Sequence, residues 1–134
     1  MRKTNWPRII ADEITKHRST EFVWGKSDCC LVVADIVKSF SDIDIADGLR
    51  GKYKTAKGSL MALRRYGEGD IPSTADRTLK RKPVSEVSRG DVVLVKTQAG
   101  ESLGIYFNTR VWAMSEEGLI DLSKETILIA WGVN

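Results

Sequence analysis

Apolar positions in the first half of the chain recur at three- and four-residue intervals, the spacing of one face of a helix. "WPRIIADEITKHR" places Ile9, Ile10, Ala11 and Ile14 on such a face, and Pro7 suits the first turn. "SDCCLVVADIVKSF" sets Cys29, Val32, Val33, Ile36, Val37 and Phe40 on one stripe, with Ser27 or Asp28 at the cap position. "TAKGSLMALRRYG" carries Thr55 as a cap, Leu60, Met61 and Leu63 as apolar anchors, and Gly67 as a stop. From Glu68 onward, "EGDIPSTADRTLKRKPVSEVSRG" holds two prolines and many charges, and predicts a surface loop with one short helical turn.

Beyond that loop the period changes from helical to alternating. "DVVLVKT", "LGIYF", "RVWAMS", "GLIDL" and "ILIAWGV" are short runs rich in branched and aromatic residues, separated by the turn signals "QAGE", "FNTR" and "SEEG". The expected class is therefore α+β: N-terminal helices packed on a C-terminal antiparallel sheet of about five strands, with curling into a small barrel as one way for the sheet to close. The length of 134 residues suits one domain, 1–134, with room for a core that needs no staples.

Composition changes this picture little. The chain is 42% hydrophobic and 29% charged, with a formal charge of +3, which permits an acidic partner without demanding one. No apolar run approaches the roughly 20 residues of a membrane span, and "MRKTNWPRII" turns polar again too soon for a signal peptide. Arg77, Lys80, Arg81 and Lys82, with Arg64 and Arg65, lack interleaved aromatics and have acidic neighbours, so no nucleic-acid partner is expected. "GKYKT" lacks the strand and spacing of a phosphate loop. The chain has two cysteines, adjacent in sequence, and one histidine. Adjacent cysteines are poorly placed to pair, and three such residues fall short of the four soft ligands of a structural metal site. No metal or cofactor is expected.

Candidate chemistry centres on Cys29. A thiol in the first turn of a helix faces unpaired N–H groups and the positive end of the dipole, which favour the thiolate and can receive an oxyanion. Cys30, about 100° further round, is expected to point elsewhere and pack as a small hydrophobe. An unreactive buried thiol is the competing reading for Cys29, and the commoner one.

"F-x-W-G-K-S-D-C", followed by an apolar helix, resembles the nucleophile motif of the NlpC-like cell-wall peptidases, a papain-like α+β superfamily. "RGDVVLVKTQAGESLGIYF" resembles that superfamily's second block, in which a Gly-Asp strand leads to His-Val-Gly-Ile-Tyr. With "GKYKT" and the terminal "AWGV", the chain is similar to small NlpC-like proteins of phage and prophage tails. The resemblance implies a virion-tail protein assembled in the bacterial cytoplasm, in contact with hub or distal-tail proteins and with peptidoglycan as a further candidate. It also implies Cys29 as nucleophile, Ser102 at the position of the catalytic histidine, and Phe22 at the position of a family tyrosine. The third polar position falls on Trp112 or Ala113.

Serine does not act as a base near neutral pH. His17, twelve residues before Cys29, is the one imidazole able to substitute, although a polar helix end is its simpler explanation. Glu101, Glu116 and Glu117 read as solvated turn carboxylates. The expected function is a structural or assembly role with a degenerate site. The alternative is an active cysteine amidase or endopeptidase, with the amides around Cys29 and Cys30 as its oxyanion hole.

Overall fold

Pro7 in its first turn and Lys16 and His17 in its last frame α1 (Trp6–His17), whose Ile10 and Ile14 are buried. The computed structural model describes residues 1–134. The strongest apolar stripe becomes α2 (Leu31–Phe40), in which only Asp35, Lys38 and Ser39 escape burial. Thr55 caps α3 (Ala56–Tyr66) by accepting from the Gly58 N–H, and Asp70 caps the short α4 (Ile71–Ala75) through Ser73. Six antiparallel strands follow: β1 (Lys80–Lys82), β2 (Val92–Thr97), β3 (Gly100–Phe107), β4 (Arg110–Ser115), β5 (Gly118–Leu122) and β6 (Ile127–Gly132). They form one sheet in the order β1-β6-β2-β3-β4-β5. The architecture is α+β, with helices first and sheet second.

The sheet departs from expectation in two ways. It has six strands rather than about five, because Lys80–Lys82, inside the expected loop, pairs with Ala130–Gly132. It is also open, since β1 and β5, at the two ends of the order, do not pair with each other. A three-residue charged strand carries no period-2 signal of its own, and the exposed edge of β6 recruits it.

The helices cover one face of the sheet. Val92, Leu94, Leu103 and Ile105 join Val32, Ile36, Phe40 and Trp131 in the main core. Val93, Val95, Val111, Ile127 and Ala130 form a smaller cluster that Val84 and Val87 help to cover. Burial on both faces explains the unbroken "VVLV" of β2, which strict alternation would not produce. Among the tryptophans only Trp131 is fully buried, with its indole donating to Asp76 at 2.8 Å.

Of the three expected α3 anchors, Leu63 packs against the main core and the other two do not. Leu60 and Met61 are 62% and 61% exposed, and Ala62 is the buried residue of this helix. Periodicity identifies an apolar face but not what will cover it.

Turn geometry, not a helix, presents the cysteines. Gly25 has φ +82°, and a β-carbon there would lie 2.0 Å from the Tyr53 carbonyl oxygen. This glycine therefore lets the Tyr53 loop close on the turn before α2, where the Gly51 N–H donates to the Gly25 carbonyl at 3.0 Å. Gly25→Ala is expected to destabilise by at least about 2 kcal/mol, since strain at positive φ adds to the steric overlap. Urea unfolding checks this; a change within about 0.5 kcal/mol, the range of an ordinary surface substitution, would contradict the packing described.

Candidate functional site

Asp28 organises the site. It is 1% exposed, and its carboxylate accepts three N–H groups of the cysteine turn and one hydroxyl from a distant loop. One carboxylate oxygen takes the N–H groups of Cys30 and Leu31, each at 3.0 Å. The other takes the Gly25 N–H at 2.9 Å and the Tyr53 hydroxyl at 2.5 Å. The Asp28 carbonyl accepts from Val32 at 3.1 Å, so the residue acts as the N-cap even though regular helix begins at Leu31. Burial and the Asp28 carboxylate push the Tyr53 phenol far up, which keeps it a donor.

This cap corrects two expectations. Cys29 precedes the regular helix instead of occupying its first turn. The Cys30 amide is committed to Asp28 and is not free for an oxyanion, which leaves the Cys29 N–H as the amide beside the sulfur.

Cys30 packs against the main core, as expected of a small hydrophobe, but it does not point away from Cys29. The two free thiols lie 4.0 Å apart, and both line one cavity. Their protons divide unevenly. Cys29 is held below the ordinary thiol value, chiefly because Cys30 donates a hydrogen bond to it. The Ser102 hydroxyl and the Cys29 N–H act in the same sense, while burial and Asp28 oppose. Cys30 is raised well above the ordinary value by that donation and by burial.

Ser102, on β3, is 5% exposed and donates to the Leu103 carbonyl at 2.9 Å. The residue that the resemblance places at the histidine position thus influences the Cys29 thiol without lining the cavity. The cavity has a volume of about 440 Å³ and runs beneath α3 between Trp24, Leu49, Leu63 and Ile71. Its lining is mostly apolar, and its charged members, Asp28, Asp70 and Glu101, are all acidic.

Residues 1–133 match the family model described as Domain of unknown function (DUF6950). The chain belongs to the DUF6950 family. No curated protein matches it.

In this DUF6950 chain His17, Phe22, Trp112 and Ala113 do not line the Cys29 cavity. His17 is buried at 4% exposure, not solvated at a helix end as expected. Its Nδ1 lies 3.2 Å from the Thr20 hydroxyl, and its Nε2 has no hydrogen-bond partner, with Glu13 at 3.9 Å. The charges acting on the ring are Glu13, Lys16 and Asp35, and no hydrogen bond joins it to Cys29. Phe22 stacks edge-on against Trp24, with ring centroids 4.8 Å apart, and does not line the cavity. At the third position the Trp112 indole donates to the Phe107 carbonyl at 2.9 Å, and Ala113 is buried. Glu101 does line the cavity, contrary to its reading as a purely solvated residue.

Sequence reasoning missed Tyr53 as a site residue and dismissed Cys30. The signal for Tyr53 was present, since "GKYKT" carries it, but its partner lies 25 residues away. Adjacent thiols on a helix would diverge; it is the turn at Cys29 and Cys30 that brings their sulfurs together.

Iodoacetamide is expected to label Cys29 before Cys30 in the folded protein, with a rate midpoint below the free-thiol value of about 8.5. Cys30→Ala removes the main donor and should move that midpoint up. Mass spectrometry across pH checks both, and first labelling of Cys30 would contradict the assignment.

Burial lowers the His17 pKa against the opposing pull of Glu13. The unfolded chain therefore takes up a proton that the folded chain resists, and stability falls as pH drops through about 6.5. Urea unfolding between about pH 7 and pH 5 should show a steeper decline for the wild type than for His17→Gln. Equal slopes would refute it.

Proposed function

We propose that this DUF6950 chain is an NlpC-like domain of a phage or prophage tail tip, structural or assembly in role, whose cysteine stands without a catalytic base. The observation that carries the non-hydrolytic part is the surroundings of the Cys29 sulfur. Its neighbours are a second thiol, a serine hydroxyl and a carboxylate whose oxygens are already filled by four donors. None of these accepts a proton from Cys29 and returns it to a leaving amine. General acid–base assistance worth roughly 10²–10⁴-fold is therefore missing.

The NlpC-like part is supported by the order of elements. A Trp-Gly turn and Asp-Cys precede a buried helix, and a Gly-Asp strand leads to the strand that carries Ser102, whose hydroxyl helps to lower the Cys29 pKa. Asp91 of that Gly-Asp pair is a turn lock: it accepts from the Ser88 N–H and pairs with Lys82, both at 2.8 Å. The tail placement is supported by the motif resemblance alone, with hub or distal-tail proteins as partners. No helix is long and apolar enough to cross a membrane.

A second reading is favoured by one observation. A thiol whose pKa is lowered, on the wall of a cavity, is what a cysteine amidase would need for attack on a peptidoglycan amide. Incubation with purified sacculi separates the two. Under the proposal, soluble muropeptides do not exceed those of a Cys29→Ala control. Release that Cys29→Ala abolishes would establish the hydrolase. Immunogold labelling of purified particles tests the tail role, and absence of label from the tail tip would overturn it.

A further inference from the structure

Charge on this chain is segregated. Residues 50–67 hold six of the 21 lysines and arginines and none of the 18 acidic residues, so the rest of the chain nets −3. Arg50 is paired with Asp35 and Asp44. Lys52, Lys54, Lys57, Arg64 and Arg65 form no ion pair, and all five are exposed.

Three of these five lie on the solvent face of α3. At about 100° per residue, Leu60, Arg64, Lys57, Met61 and Arg65 follow one another across roughly 140° of its circumference. Leu60 and Met61 are the most exposed large apolar side chains after Met1. An exposed apolar pair set among unpaired cations is the composition of a helix that lies in a bilayer interface. The apolar side chains enter the acyl boundary there, and the cations meet anionic headgroups.

We propose that the exposed face of α3 docks on an anionic lipid bilayer surface. A nucleic acid suits this face less well. Bases stack on aromatic rings, and of the two at this edge Tyr53 is tied to Asp28 while Tyr66 already carries Lys52 and Arg65 at 5.3 and 5.5 Å from its ring centre. Leu60 also lines the Cys29 cavity, so a surface that covers Leu60 covers the rim of that cavity. The contact is peripheral, and each cation near an anionic surface strengthens it about fivefold.

The test is co-sedimentation of the full chain with vesicles of phosphatidylcholine, with or without phosphatidylglycerol. Binding is expected only with phosphatidylglycerol, and is expected to be lost at about 1 M salt, where charges are screened beyond ~3 Å. Arg64→Gln with Arg65→Gln should weaken it roughly 25-fold. Met61→Ser and Leu60→Ser, which leave the charge unchanged, should each weaken it severalfold. Absence of phosphatidylglycerol-dependent binding overturns the proposal, as does binding that survives the arginine substitutions. Full binding by both serine variants, or tighter binding to a single-stranded oligonucleotide than to vesicles, would make the face a general polyanion site and overturn it equally.

Discussion

The buried carboxylate of Asp28 is the constraint on which the rest of the site depends. A carboxylate removed from water is costly unless its lone pairs are filled, and here four donors fill them. Those donors come from the Trp-Gly turn, the start of α2 and the Tyr53 loop. Satisfying one charge therefore fixes three chain segments relative to one another. Removing that acceptor would leave buried N–H groups unpaired, at about 1–3 kcal/mol each.

The same saturation decides the chemistry. Asp28 sits close enough to oppose the Cys29 thiolate, yet its oxygens have no capacity left for a proton from the sulfur. What lowers the Cys29 pKa is a neighbouring thiol, a serine hydroxyl and its own amide, none of them a base. Donors make a thiolate more populated, whereas hydrolysis needs a group that first accepts a proton and then delivers it. The site thus favours the thiolate at Cys29 over Cys30, beside a mostly apolar cavity.

Asp91 repeats the lesson of Asp28 at the other end of the fold. Both acids belong to sequence blocks that resemble catalytic motifs, both are 1% exposed, and both spend their oxygens on turn amides, Asp28 adding the Tyr53 hydroxyl and Asp91 the cations Arg2 and Lys82. Acidic residues in such motifs can be the framework of a site without taking part in its chemistry.

The local pattern of the chain determined the helices, the later strands, the α+β class and the prominence of Cys29. Each of these is written in residues adjacent in sequence or one helical turn apart, as in the stripe from Val32 to Phe40. Tertiary structure decided the rest. The strand Lys80–Lys82 exists because β6 offers it an edge. Leu60 and Met61 are exposed because no element covers that side of α3. His17 is buried away from the sulfur, Cys30 is turned toward it, and Tyr53 becomes the partner of an acid 25 residues earlier. The physical reason is common to all of these: periodicity encodes which face of an element is apolar, whereas the partner of a polar group or an edge depends on which distant segments the core brings together.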